Sequence, residues 1–271
     1  MKEYSTHTLG TKYTTDYTVY VTHNDKIISP FHSIDLFQHE FENVVTVINE
    51  IPRFENGKFE IIKDISLNPI KQDTKKGNLR FVENIFPFKG YMWNYGALPQ
   101  TWEDKDAICG YTQKKGDNDP LDVLDFSSIQ KDIGEVYQGK ILGCLAMIDD
   151  NECDWKIVVI DVKDPLAEKI NTSEDIEKYF PNYIESTIHW FKNYKIPDGK
   201  PENTFGLHGK FMDKHFTLEI IKTGHGYWKK LMESQHVPEI KYEREGALHD
   251  NNQKTEKNQS GSKSGYYFLK N

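Results

Sequence analysis

Three carboxylates crowd one proline in the segment Asp117-Asn118-Asp119-Pro120-Leu121-Asp122. Two ionised carboxylates ~4 Å apart repel by roughly 4 kcal/mol at an effective dielectric near 20, so a turn that gathers three calls for a counter-charge. A hard divalent cation meets that need, because such ions take oxygen ligands. Pro120 fixes one backbone angle and Gly116 frees another, which makes the segment a shaped turn that aims its side chains. An ordinary surface turn uses the same residue types. An EF-hand calcium loop is excluded, since it wants Gly at its sixth position and Glu at its twelfth, where this chain has Asp122 and Ser128.

Further acids fall where the same pocket can use them. On the stretch Lys58-Phe59-Glu60-Ile61, a period of two puts Lys58 and Glu60 on one face and Phe59 and Ile61 on the other. Asp149 closes one predicted strand and Asp154 opens the next, so a hairpin over 150–153 leaves both carboxylates at one rim. Glu60, Asp117, Asp119, Asp122, Asp149 and Asp154 thus sit at strand ends or turns, and six carboxylates serve more than one cation. Arg80 and the run Tyr194-Lys195-Ile196-Pro197-Asp198-Gly199-Lys200-Pro201 supply candidate anion donors. Arginine offers a planar fork and lysine a point charge, both suited to phosphoryl oxygens. Each feature also has a plain structural reading: an ion pair on a sheet face, a surface hairpin, a tyrosine on an apolar stripe.

The elements that must position these groups are short. Residues 44–51, 58–63, 79–82, 136–148 and 155–162 are β-branched or alternating runs bounded by Gly, Pro, Asn and Asp, and several such strands can close into a small barrel. The alternation of Tyr17-Thr18-Val19-Tyr20-Val21 predicts a strand or two in the first forty residues. Thr172-Ser173-Glu174-Asp175 reads as a helix start, with apolar residues at helical spacing from Ile176 to Tyr194 and a split or kink at Pro181. A second helix is expected over 213–231, weakened by Gly224 and Gly226. Strands first and helices later give a mainly β or α+β fold.

Length and composition narrow the rest. The chain has 271 residues, a 37% hydrophobic share and a formal net charge of -8, enough for a sizeable core and the wrong sign for a general nucleic-acid binder. Its longest apolar run is too short to span a bilayer and its start carries no signal-peptide segment, so a soluble, cytoplasmic chain with no membrane partner is expected. Cys109, Cys144 and Cys153 read as reduced thiols, with no Cys-x-x-Cys pair. The ten histidines form no metal-ligand motif. A single domain is expected over 1–237, with N-terminal strands in 1–43 and the catalytic barrel and helices in 44–235. A polar tail follows over 238–271, of which only Tyr266-Tyr267-Phe268-Leu269 can dock.

Several motifs in order now point the same way. Glu50-Ile51-Pro52-Arg53, Asn94-Tyr95-Gly96-Ala97, the run from Gly116 to Asp122 and the run from Tyr194 to Pro201 resemble the eukaryotic-type soluble (family I) inorganic pyrophosphatases. The stretches at 68–77 and 161–167 look similar too, and the likeness runs from about Val44 to Leu231. The resemblance implies a five-stranded OB-type β-barrel with helices packed outside, and magnesium-dependent hydrolysis of pyrophosphate. It implies that Asp117, Asp122 and Asp154 hold a first magnesium, with Asp122 shared by a second and a water between them as nucleophile. Asp119 is then the general base, adjusted by a hydrogen bond from Tyr95. Glu60, Asp149 and Asp154 take further magnesium ions, Glu50 lies nearby, and Lys58, Arg80, Tyr194 and Lys195 bind phosphate. A homodimer with contacts near Arg53 and Phe54 is implied as well. The loop 105–115 departs from commoner eukaryotic versions, and Phe54 stands where a Trp is frequent. Other readings are a metal-dependent phosphohydrolase acting on nucleotides or polyphosphate, and an OB-type module for single-stranded nucleic acid, which the net charge disfavours.

Overall fold

Strands form here where β-branched residues find apolar cover on both faces, as in Val44–Ile51, every residue of which is buried. The computed structural model describes residues 4–37, 43–247 and 263–269. In chain order its strands are β1 (Ser5–Leu9), β2 (Thr18–His23), β3 (Lys26–Ile28), β4 (Val44–Ile51), β5 (Phe59–Ile61), β6 (Ile70–Gln72), β7 (Thr74–Lys75), β8 (Asn78–Leu79), β9 (Asn94–Ala97), β10 (Asp122–Asp125), β11 (Val136–Asp149) and β12 (Glu152–Asp161). Helices α1 (Ser173–Tyr179) and α2 (Tyr183–Asn193) follow, then β13 (Thr204–Phe205), β14 (Met212–Asp213), α3 (Lys214–Ser234) and β15 (Glu245–Gly246).

Five strands close on themselves. β12 pairs β10 in parallel, and β10–β9, β9–β4, β4–β11 and β11–β12 are antiparallel. Closure removes the free edges, and the ring is the five-stranded barrel expected from the resemblance. A second sheet, β15-β3-β2-β6-β5 with β1 alongside β2, contains the expected N-terminal strands. The barrel walls obey the period of two: Val123, Ile157 and Val159 belong to the cluster that includes Ile220 and Ile221 of α3, whereas Leu124, Val158 and Ile160 belong to that of Trp190 and Phe191 of α2. Each such side chain contributes about 1.5–3 kcal/mol when fully buried.

Several strands differ from expectation: the one expected over 79–82 shrinks to β8, and β10 of the barrel falls in no expected run. The hairpin between β11 and β12 turns on Asp150 and Asn151 alone, both at positive φ (44° and 74°), so β12 opens at Glu152 and takes Asp154 into the ladder opposite Met147. Asn94–Ala97, which has no β-branched residue, is nevertheless a central barrel strand. A Cβ on its Gly96 would lie 2.0 Å from the Ile48 carbonyl oxygen, so only glycine permits that approach of β9 to β4.

The helices start as their sequences indicate. Thr172 and Asp175 form a reciprocal capping box at α1, Pro181 falls in the gap before α2, and the Asp213 carboxylate caps α3 by accepting from the His215 and Phe216 N–H groups. Gly224 survives inside α3 because a Cβ there would meet Leu121 Cδ1 at 2.9 Å. The C-terminal run is partly tied to the body: Val237 and Ile240 are buried and β15 pairs β3. Tyr267 exchanges hydrogen bonds with Asn84 and Phe86, and Phe268 stacks on Phe86 at 5.1 Å. The rest of the tail expected over 238–271, residues 248–262 and 270–271, lies outside the described residues. Among the described residues no helix is long and apolar enough to cross a membrane, and the three cysteines are free thiols.

Candidate active site

The acids predicted to share a rim do so. Glu60, Asp117, Asp119, Asp122, Asp149 and Asp154 all line one cleft of about 220 Å3 at the barrel mouth, together with Glu50, Lys58, Tyr95, Tyr194 and Lys195. Asp117 and Asp119 share one turn, and the others arrive from separate elements. Glu60 comes from β5, Tyr95 from β9, Asp122 from the first position of β10, Asp149 from the last of β11, and Asp154 from β12. Glu50 is the extra residue of a bulge, since the β4–β9 register shifts between Asn49 and Ile51. Bulges re-aim a side chain, and this one sends the Glu50 carboxylate to the Ile61 N–H at 2.7 Å.

The acidic turn is built by local hydrogen bonds. Asp117 Oδ1 accepts from the Asp119 N–H at 2.9 Å, and Asn118, at φ 71°, accepts from the Trp102 indole at 3.0 Å. The Glu103 main chain completes the clamp by donating to Asp119 O (2.8 Å) and accepting from Asn118 N (3.0 Å). Pro120 then feeds the chain into β10, where Asp122 lies in register with Lys156 of β12.

Lys156 holds the centre of the cleft. Its Nζ lies 2.5 Å from Asp122 Oδ2 and 2.5 Å from Asp154 Oδ1, and the Tyr95 hydroxyl donates to Asp122. The hydrogen bond from Tyr95 therefore falls on Asp122 rather than on Asp119, whose Oδ1 is paired with Lys63. The reason is register: Tyr95 pairs with Leu124, so Asp122 lies two positions along the adjacent strand on the same face, while Asp119 lies beyond the strand end. Burial, with repulsion from Asp122, raises the Glu50 carboxyl well above its ordinary value. Burial and the facing acids do the same to Asp117 and Glu103. Burial pushes Asp154 up to about 8, with Lys156 opposing and Asp122 adding to the shift. Burial works against the Lys156 ammonium, but Asp122 and Asp154 outweigh it and hold the lysine charged.

Cationic and phenolic groups share the cleft with the acids. The Tyr194 hydroxyl donates to Asp149 Oδ2 at 2.7 Å, and Lys195 pairs with Asp149 and, at 2.9 Å, with Asp150. Lys58 lies 2.7 Å from Glu60. Arg80 is not on the cleft wall itself. It flanks the cleft through Asp73, which it binds at 2.9 Å and which lies 3.8 Å from Lys58, and shares a small side pocket with Tyr194 and Lys195.

One carboxylate oxygen each from Glu103, Asp117 and Asp154 lie within 4.8 Å of one another. Glu103 Oε2 is buried with no hydrogen-bond partner. An all-oxygen set with an orphaned buried acceptor fits a hard divalent cation.

Residues 47–229 match the inorganic pyrophosphatase family. A curated relative, the inorganic pyrophosphatase of Encephalitozoon cuniculi, is 55% identical over 87% of this chain and 85% of its own length; that of Neurospora crassa is 47% identical over 87% and 81%. The chain belongs to the inorganic pyrophosphatase family. Among solved structures, the inorganic pyrophosphatase of Schistosoma japonicum superposes with a TM-score of 0.92 at 38% identity, over 98% of this chain and all of that one. An N-terminally truncated vacuolar soluble pyrophosphatase of Trypanosoma cruzi, solved in complex with PPi, gives a TM-score of 0.80 at 35% identity, over 86% of this chain and 92% of that one.

Three residues that line or contact the cleft acids escape sequence reasoning. Lys156 lies two residues after Asp154 and so on the same strand face, a signal hidden by placing the strand start at Trp155. Glu103 and Lys63 carry no spacing signal. They meet the acids of the pyrophosphatase cleft, Glu103 beside Asp117 and Asp154 and Lys63 at Asp119, only through the fold.

Proposed function

We propose that this chain hydrolyses inorganic pyrophosphate to two orthophosphates with magnesium as its divalent cation. The observation that carries this reading is the convergence of six carboxylates with Lys58, Tyr194 and Lys195 in one cleft, in a chain of this family. Asp117, Asp122 and Asp154 would hold a first cation, with Glu60 and Asp149 serving further ions and Glu50 supporting them. Bound cations offset the anionic charge of pyrophosphate and make water a stronger acid.

The chain's own groups do the rest. Lys58, Tyr194 and Lys195 line the wall where the phosphoryl oxygens would lie, and Arg80 adds a planar donor at its edge. Asp119, its side chain 47% exposed at the mouth, is the acid best placed to take the proton of the attacking water. Tyr95 and Lys156 fix the rotamer of Asp122. In-line phosphoryl transfer depends on such placement more than on covalent chemistry. A homodimer belongs to the same proposal, supported by Phe54, which stands 55% exposed beside Arg53; sedimentation velocity tests it, and a monomer at all concentrations would sink it.

The decisive experiment is orthophosphate release by the purified chain from pyrophosphate, tripolyphosphate and ATP, with magnesium and with chelator. Release from pyrophosphate that chelator abolishes is expected. Preference for ATP, or release indifferent to chelator, would overturn the reading.

A further inference from the structure

Glu103 stands outside the six acids and is tied to the cleft from both sides. Its main chain clamps Asn118 and Asp119, and its Oε1 accepts from the Trp155 N–H of β12 at 3.1 Å. One end of the residue thus fixes the turn that carries Asp117, and the other is held by the strand that carries Asp154. Oε2 is left over. The residue is only 6% exposed, and that oxygen has no hydrogen-bond partner. Among the described residues no lysine or arginine pairs with Glu103 or Asp117, while Lys156 is committed to Asp122 and Asp154. An uncompensated buried acceptor destabilises the fold, and more so when charged. Two acids facing Asp154 therefore have no counter-charge supplied by the chain.

We propose that Glu103 is an additional acid of the divalent-cation position bounded by Asp117 and Asp154, closing it from the side of the 102–116 loop. This rests on the cation reading above and adds to it a residue from a loop that carries none of the six acids. A purely structural Glu103 would act through Oε1 and its main chain, and glutamine would serve as well. A cation-holding Glu103 needs the charge, so Glu103→Gln separates the two.

The test is titration with Mn2+ in the absence of substrate, followed by the electron paramagnetic resonance signal of free ion. Glu103→Gln is expected to weaken Mn2+ binding roughly 10- to 100-fold, with the melting temperature in chelator not lowered. Asp106→Asn, at an exposed acid of the same loop, is expected to bind as the unaltered chain does. Affinity of Glu103→Gln indistinguishable from that of the unaltered chain would overturn the proposal while leaving the cation reading intact. Failure of the unaltered chain to take up any Mn2+ would overturn both. Should the variant not fold, anomalous scattering from the unaltered chain crystallised with Mn2+ decides. A manganese peak beside Asp117 and Asp154 with Glu103 turned towards it supports the inference, and Glu103 turned away defeats it.

Discussion

Lys156 Nζ bridges Asp122 Oδ2 and Asp154 Oδ1 at 2.5 Å each, so one buried ammonium ties the first residue of β10 to the opening of β12. The lysine side chain is 3% exposed, and removing one partner of a buried pair leaves uncompensated charge. Lys156→Met is expected to lower unfolding stability in chelator by about 3 kcal/mol, read from urea denaturation. An unchanged urea midpoint would show that the ammonium is not needed to hold the two acids.

Asp119 is the acid of the turn least buried by its neighbours, so its amide counterpart fits the same space. Asp119→Asn is expected to cut pyrophosphate turnover by roughly 10²- to 10⁴-fold, the usual worth of a general base, with no shift in the melting temperature. Turnover close to that of the unaltered chain would remove Asp119 from the role.

In chelator, stability is expected to fall as pH rises. Asp154 ionises near 3.8 when unfolded and near 8 when folded, and Glu50, Asp117 and Glu103 shift in the same direction. The folded chain therefore binds these protons more tightly than the unfolded chain. Their contribution is fully present below the unfolded values and is lost as pH climbs towards the folded ones. Calorimetric melting between about pH 5 and pH 8 should show a declining transition temperature in chelator that saturating magnesium flattens. A rise with pH in chelator would contradict the assigned shifts.

Gly116 lies hard against the main chain of Glu103. A Cβ there would meet the Glu103 carbonyl carbon at 2.4 Å and its oxygen at 2.5 Å, which backbone cannot yield cheaply. Gly116→Ala is expected to cost about 1–3 kcal/mol and to weaken Mn2+ binding, because Asp117 must move with the loop. Isothermal calorimetry and urea denaturation together check this, and a fully stable variant with unaltered Mn2+ affinity would refute the close approach.

Much of the cleft was legible because its parts carry local signals. Asp117, Asp119 and Asp122 announce themselves by spacing around Pro120, Lys58 and Glu60 by strand alternation, and Thr172 and Asp213 by their caps. Asn94–Ala97 was not legible as a strand, since Gly96 is there for the Ile48 carbonyl across the barrel. The proton partner of Tyr95 was misplaced for a similar reason: register, which pairs β9 with β10, decides which carboxylate its hydroxyl meets.

The amino-acid order by itself determined the acid turn, the alternating strands, the helix starts and the family likeness, because each rests on spacing within a few residues. Only the tertiary structure decided that Lys156 would stand between Asp122 and Asp154, that the bulge at Glu50 would turn its carboxylate inward, and that Glu103 would be left with a bare oxygen beside Asp117. Those facts depend on barrel closure, which brings residues from distant positions within hydrogen-bond reach and removes the water that would otherwise have satisfied them.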